Sequence, residues 1–349
     1  MLKNNSTYYT IGLMSGTSLD GIDLAYCKFT FLDKKWSYDF LATKMIDYSF
    51  EWKKKLKNAI HISEEKLGRL DIELGEYFGE EINQFITENN LKRIDFISSH
   101  GHTIFHQPER KYTLQIGCGK TIKKVTKIKT IFDYRSKDVS LGGQGAPLVP
   151  IGDKLLFSQY DYCINIGGIS NVSYEKNGVR RAYDICFSNM VLNPLANNLG
   201  FEYDDKGKIA KANIVNKKLL NKLLELDFKN QSLGVEVYRK NILPILKKSN
   251  ENTENTIATF TEYIALKIAE IIQENATVLI TGGGAFNSYL MELIQEKSGA
   301  KIVVSSRELI DFKEALIFAF LGVLRIENIP NCLASVTGAE CDNIGGIII

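Results

Sequence analysis

Hydrophobic positions along the chain first alternate with a period of two and then recur every three to four residues, and this exchange of periods divides it into elements. Residues 8–14 and 22–31 read as strands flanking a glycine turn, and residues 38–48 supply a third strand of the same antiparallel meander. Two helices follow at 50–60 and 64–89, the second carrying Leu67, Leu70, Ile72, Leu74, Phe78, Ile82 and Phe85 at roughly helical spacing. Short strands are expected at 94–98, 113–116 and 129–132, separated by a His-rich loop and a Lys-rich helix-like stretch. The glycine cluster LGGQGAP at 141–147 suits a hinge.

The opening pattern then recurs. Residues 162–166 and 171–175 flank a second glycine turn, and Asn177-Gly178 marks a hairpin into a strand at 179–185. Downstream lie mostly helices, clearest at 257–272, then a strand at 277–280 that runs into three glycines and a helix at 288–296. Another apolar helix is expected at 314–326, and the polar stretch SNENTENT at 249–256 reads as a loop ending in helix caps. Strand meanders followed by helices, twice over, indicate an α/β chain doubled on itself.

Length agrees, since 349 residues exceed the usual span of one hydrophobic core. A charged fraction of 24% and an aromatic fraction of 10% are those of a folded globular chain. Net charge is only +2 and the lysines are scattered, so there is no electrostatic footprint for nucleic acid or an acidic membrane, and a small-molecule partner is expected. The six cysteines form no Cys-x-x-Cys pair and fall mostly in apolar segments, which reads as reduced. The N-terminal MLKNNSTYYT lacks the apolar region of a secretory signal, and nowhere do 18 uncharged apolar residues run together, which makes the cytoplasm the expected compartment.

Three strand-to-turn junctions share one chemistry: GTSLDG at 16–21, NIGGISN at 165–171 and TGGGA at 281–285. A glycine backbone approaches phosphate closely while its amides and neighbouring hydroxyls donate hydrogen bonds, and the third turn leads toward a helix, whose N-terminus favours negative charge. Singly, each turn has an equally good steric explanation as a tight connection; three together point to phosphate. Neither standard nucleotide fingerprint is spelled here. Gly119-Lys120-Thr121 lacks the first P-loop glycine, because position 114 is Leu, and Gly282-x-Gly284 meets Asn287 where a dinucleotide fold needs its third glycine.

The strings MSGTSLDGID, SSHGHTIFHQP, TLQIG, FDYRSKDVSLGGQGAPLVP, INIGGISN, LITGGGAFN and EALIFAFLG, spread from residue 9 to about 340, resemble the 1,6-anhydro-N-acetylmuramic acid kinase family of the actin and sugar-kinase superfamily. The resemblance implies two ribonuclease-H-like α/β domains with ATP in an interdomain cleft, the N-terminal lobe taking residues 1–135 plus about 330–349 and the C-terminal lobe 136–329. It also implies a homodimer. The implied reaction phosphorylates the 6-oxygen of the anhydro sugar while water opens the intramolecular acetal, giving N-acetylmuramate 6-phosphate and ADP.

By the same resemblance Asp184 is the base that deprotonates the water. From the residues alone it reads instead as a helix cap or a surface turn acid, as most lone aspartates do. Gly16, Thr17, Ser18, Leu19, Asp20, Gly21, Ile22 and Asp23 match the ATP-binding string, and Asn165, Gly167, Gly168, Gly282, Gly283 and Gly284 belong to the other two phosphate turns. Asp20 and Asp23 would repel ATP unless Mg²⁺ intervenes, which makes them candidate metal residues acting through water, although Asp23 suits a solvent-facing strand position as well. His100, His102, Arg135, Asn189 and Glu314 are candidate sugar-binding residues. Arg135 has the fork to take a lactyl carboxylate, or alternatively to pair with Asp133 or Asp138. Glu314 matches a family acid near the sugar, a position that the helix dipole also favours. The histidines at 100, 102 and 106 have no acidic or Cys partner at a recognisable zinc spacing.

Three positions depart from familiar spellings. His102 stands where the family usually has Gln; Asp184-Ile-Cys-Phe-Ser-Asn189 replaces Asp-Thr-Gly-Pro-Gly-Asn; and Met14 stands where the superfamily has a metal-binding Asp, a replacement shared with the family. The rival readings are an ordinary hydroxyl kinase acting on another amino sugar and a non-catalytic, nucleotide-gated sugar-binding protein.

Overall fold

The computed structural model describes residues 5–228 and 232–349. The chain forms two compact units, Met1–Leu156 with Phe312–Ile349, and Phe157–Asp311. The first unit holds β1 (Ser6–Ser15), β2 (Gly21–Leu32), β3 (Lys35–Asp47), α1 (Phe50–Asn58), α2 (Glu64–Glu88), β4 (Phe96–Gln107), β5 (Tyr112–Ile116), α3 (Gly119–Thr126) and β6 (Thr130–Phe132). The second holds β7 (Tyr162–Ile166), β8 (Ile169–Lys176), β9 (Val179–Phe187), α4 (Asn189–Asn197), α5 (Thr253–Ala269), β10 (Thr277–Thr281), α6 (Ser288–Ser298) and β11 (Lys301–Val304). Helix α7 (Arg307–Ile326) contains the seam at 311/312.

Strand order is β3-β2-β1-β4-β6 in the first unit and β9-β8-β7-β10-β11 in the second. In each, the first strand is antiparallel to the second and parallel to the fourth, and the second is antiparallel to the third. This is the ribonuclease-H-like order, present once per unit as the family resemblance implied. The first sheet is extended by β5, folded back on β4, and by the C-terminal strand Ile347–Ile348, which pairs with β6.

Each unit has its own core. In the first, Ile11, Leu13, Ile22 and Leu24 meet the stripe Leu67, Leu70, Leu74, Phe78, Ile82 and Phe85 of α2. Ile72 is off that stripe and 49% exposed, because a residue two after Leu70 points to the opposite side of a helix. On the other face α7 lies directly on β1: a Cβ at Gly12 would sit 2.0 Å from the Ala315 carbonyl oxygen, so only glycine permits the approach. In the second unit Ile164, Ile166, Val278 and Ile280 pack against Phe260, Ile264 and Ile268 of α5 and Leu290 and Ile294 of α6. Ser49 caps α1 through Trp52 N, and Asn252 caps α5 through Asn255 N, so the polar stretch at 249–256 ends inside the first turn of that helix.

Three expectations change. The His-rich segment is strand, since β4 continues to Gln107 and pairs antiparallel with β5 from His102↔Ile116 to Gln107↔Tyr112. Between His102 and His106 it carries Thr103, Ile104 and Phe105, all strand-favouring, and an imidazole is amphipathic enough to occupy a half-buried strand. The seams fall at 156/157 and 311/312 rather than at 135/136 and 329/330. Consequently the glycine cluster at 141–147 is no seam. It is pinned inside the first unit, with Gln144 N donating to Thr337 O (2.8 Å) and Gly145 N to Asp138 Oδ2 (2.8 Å). Finally, β11, whose Ile302-Val303-Val304 run is β-branched, was not among the expected strands.

Candidate active site

In open α/β sheets ligands gather where parallel strands end, and the candidate phosphate turns of each unit follow such ends, after β1, β7 and β10. In the first unit β1 runs into the turn 16–20. Leu19 takes a left-handed conformation (φ 62°), Leu19 N donates to Gly16 O (3.3 Å), and the far side is closed by Tyr48 N donating to Asp20 O (3.0 Å). Thr17, Ser18 and Asp20 are exposed, Gly16, Leu19 and Asp23 half-buried. Gly21 has a steric reason to be glycine, since its Cβ would lie 2.0 Å from Ile46 O. Ile22 is wholly buried in the core, so its side chain is structural.

Ser15, which the sequence did not single out, anchors this turn. Its Oγ lies 2.7 Å from the Tyr48 hydroxyl and 2.9 Å from His102 Nδ1. His102 is therefore an inward strut, 3% exposed, and burial pushes its pKa down to about 4, leaving the ring neutral.

His100, also buried, accepts at Nε2 from Arg135 Nε (3.1 Å) and Nη2 (2.8 Å). Its Nδ1 is 2.9 Å from Gly101 O and so carries the proton, and burial with the adjacent Arg135 charge holds the ring far below its ordinary pKa. Arg135 also donates from Nη1 to Gly145 O (2.6 Å). Neither alternative ion pair forms: Asp133 Oδ1 accepts from Ser136 N, and Asp138 accepts from Gly145 N, Thr337 Oγ1 and Asn343 Nδ2. Among the described residues three of the five guanidinium N–H groups are used, which leaves one on each terminal nitrogen of this half-buried side chain. Glu314, exposed near the first-unit start of α7, is raised above the usual carboxylate range by the surrounding protein, and the charges of Arg135 and Lys313 pull it back. Arg135 is itself lowered by desolvation and raised again by Glu314.

In the second unit β7 and β10 run parallel with Asn165 opposite Thr281, which places two glycine turns side by side. Gly282 has φ 80° and ψ 162°, a region essentially restricted to glycine, and its Cβ would lie 2.6 Å from Asn165 Oδ1 and 2.7 Å from Ile166 O. Gly284 presses on Ile166, where a Cβ would come within 2.2 Å of Cγ2. Gly283 has open space, with Asn189 Nδ2 at 4.0 Å from its Cβ position. The carbonyls of Gly167 and Gly168 accept from Asn189 N (3.1 Å) and Ser188 N (2.9 Å), joining the second turn to the start of α4. A 3₁₀ turn, Gly283–Phe286, separates the third turn from α6, and the Asn287 side chain already caps Leu290 N, so the helix terminus does not open directly onto the glycines.

Asp184 is half-buried on β9, opposite Asn171 just past a bulge. Its Oδ2 accepts from Leu233 N (2.9 Å), and burial raises its pKa despite that bond. The replaced segment continues the strand: Ile185, Cys186 and Phe187 are buried, and Ser188 meets Ser170 through its hydroxyl. Apolar side chains thus stand where a glycine-proline loop is usual.

Among the described residues no group of three or more His, Cys, Asp or Glu is placed to hold a metal. Arg135 against His100 and Ser15 against His102 also commit two of the histidines to other partners. Asp20 and Asp23 lie on one hairpin and offer hard oxygen ligands, a sparse set that fits Mg²⁺, which takes one or two carboxylates and completes its shell with phosphate and water.

Residues 8–349 match the family model for anhydro-N-acetylmuramic acid kinase. The chain belongs to the anhydro-N-acetylmuramic acid kinase family. The anhydro-N-acetylmuramic acid kinase of Sulfurimonas denitrificans is 34% identical over 371 residues, covering 98% of this chain and 99% of its own length. That of Mannheimia succiniciproducens is 34% identical over 374 residues, covering 97% and 98%. Among solved structures, Acidaminococcus fermentans (R)-2-hydroxyglutaryl-CoA dehydratase component A aligns at 16% identity and a TM-score of 0.44, over 89% of this chain and 96% of its own. None of the six cysteines forms a disulfide, and among the described residues no helix is long and apolar enough to cross a membrane.

Proposed function

We propose that the protein is an ATP-dependent carbohydrate kinase that hydrolytically opens 1,6-anhydro-N-acetylmuramic acid and phosphorylates its 6-oxygen, yielding N-acetylmuramate 6-phosphate and ADP in peptidoglycan recycling. The observation that carries this reading is a family match spanning nearly the whole chain.

In this reading Asp184 takes a proton from water through Oδ1, since among the described residues its hydrogen-bond donor is Leu233 N at Oδ2. Its raised pKa makes it the stronger base. The water oxygen bonds to the anomeric carbon, the bond from that carbon to the 6-oxygen breaks, the 6-oxygen attacks the γ-phosphorus, and ADP leaves. The amides and hydroxyls of the 16–21 turn, with Asn165, Gly167, Gly168 and Gly282 to Gly284, bind the nucleotide phosphates. Asp20 and Asp23 would hold Mg²⁺ through water, and the ion supplies neutralisation of phosphate charge. The two remaining N–H groups of Arg135 receive the lactyl carboxylate, an anion that a half-buried guanidinium forming no salt bridge among the described residues is suited to bind. Asn189, Glu314 and the His100 segment complete the sugar site. A cytoplasmic homodimer is the expected setting.

With Mg-ATP, 1,6-anhydro-N-acetylmuramate and ¹⁸O-water, ADP and a sugar phosphate labelled at the anomeric position are expected, read before anomeric exchange. An unlabelled sugar phosphate would support the ordinary hydroxyl kinase, and absence of any sugar phosphate would overturn the proposal.

A further inference from the structure

Asp138 is completely buried and makes no ion pair among the described residues, yet both of its carboxylate oxygens accept hydrogen bonds. Thr337 Oγ1 and Asn343 Nδ2 each donate to Oδ1 at 2.8 Å, and Gly145 N donates to Oδ2 at 2.8 Å. Gly145 holds a left-handed φ of 67°, and its carbonyl oxygen is the acceptor for Arg135 Nη1 at 2.6 Å. A continuous chain of bonds therefore runs from residues 337 and 343 through Asp138 and Gly145 to Arg135. The other side of the guanidinium is held by His100. Two further backbone bonds, Gln144 N to Thr337 O (2.8 Å) and Glu340 N to Leu141 O (3.0 Å), tie the same loop to the same C-terminal segment.

We infer that Asp138 is a positioning residue: by fixing the Gly145 peptide it aims the two unused N–H groups of Arg135, so that recognition of the substrate's carboxylate depends on the C-terminal segment 337–343. The physical reason is that a guanidinium fork is selective only when it cannot rotate. His100 constrains one edge, and the Gly145 carbonyl constrains a terminal nitrogen. A neutral Asn at 138 would have to turn an amide N–H₂ toward one of three donors, breaking the chain at that link.

This inference rests on Arg135 binding the lactyl group, and its test separates the two. Asp138→Asn and the milder Thr337→Val are compared with wild type on 1,6-anhydro-N-acetylmuramate and on its lactyl-free analogue 1,6-anhydro-N-acetylglucosamine. The expected result is a KM for the lactyl-bearing sugar raised about 10- to 100-fold, with kcat and the KM for ATP unchanged, and with preference over the analogue lost. Thr337→Ser, which restores the hydroxyl, should restore the preference. Equal losses on both sugars, or a raised KM for ATP, would reduce Asp138 to a structural residue and overturn the inference. If wild type phosphorylates neither sugar, the functional reading fails, and the positioning claim is then decided by ¹⁵N NMR of the Arg135 Nε–H, assigned with Arg135→Lys. Its solvent exchange should be slow in wild type and accelerated in Asp138→Asn, and equal rates would refute it.

Discussion

Arg135 donates from both Nε and Nη2 to a single ring nitrogen of His100, at 3.1 and 2.8 Å. A cation held by a neutral ring keeps its full charge, whereas a carboxylate in the same place would cancel it. The arrangement leaves Arg135 half-buried and oriented, its charge felt by Glu314, with a fork suited to a further carboxylate.

Replacing Arg135 by Lys preserves the charge and removes the fork. The KM for the anhydro-muramic sugar should rise about 10- to 100-fold with little change in the KM for ATP, because a bidentate guanidinium is not replaced by an ammonium. Steady-state kinetics with each substrate varied in turn checks this, and an unchanged sugar KM would remove Arg135 from the site.

Asp184→Asn keeps the shape and removes the base. A fall in kcat of about 10²- to 10⁴-fold is expected, with ATP binding by calorimetry retained. In the wild type, activity requires the ionised carboxylate, whose pKa burial raises, so the acid limb of the pH profile of kcat/KM should lie above the ordinary carboxylate value and activity should rise through it. An acid limb at or below that value would argue against Asp184 as the base.

Gly282→Ala introduces a Cβ into backbone that only glycine adopts readily, 2.6 Å from Asn165 Oδ1 and 2.7 Å from Ile166 O. The strain is about 1–3 kcal/mol before any clash is counted, so the thermal midpoint should fall. Because the displaced neighbours belong to the adjoining turn, ATP affinity should fall as well. Gly283→Ala, with open space around its Cβ, should leave the thermal midpoint close to wild type.

His102 predicts how the fold responds to acid. Its pKa falls from 6.5 to about 4 on folding, so between those values the unfolded chain binds the proton more readily. This contribution to stability is complete above pH 6.5, is lost progressively as pH falls, and levels off below about 4. At roughly 1.4 kcal/mol per pH unit the interval amounts to about 3 kcal/mol. His102→Gln retains a partner for Ser15 and cannot titrate, so denaturant melts across that window should show a shallower pH dependence. An identical slope would exclude His102 as its source.

Local pattern was sufficient for elements whose reasons are local. The stripe of α2, the meander β1 to β3 and its repetition in β7 to β9 follow from side-chain period and glycine placement, which act between near neighbours. The repetition was enough to indicate an α/β chain doubled on itself, and the motif strings were enough to indicate the family and, through it, the ribonuclease-H-like order. Ser15, Tyr48 and Asp138 remained hidden because their partners lie far along the chain: Ser15 meets residues 48 and 102, and Asp138 meets residues 337 and 343. Likewise a histidine has no intrinsic direction, and only the pairing of β4 with β1 and β5 turned His102 inward toward Ser15. What the amino-acid order alone decided was which residues could form strands, helices and tight turns. Which polar groups became struts, and which kept donors free for a ligand, was decided by the folding of distant segments onto one another, since burial and hydrogen-bond satisfaction are properties of the packed chain.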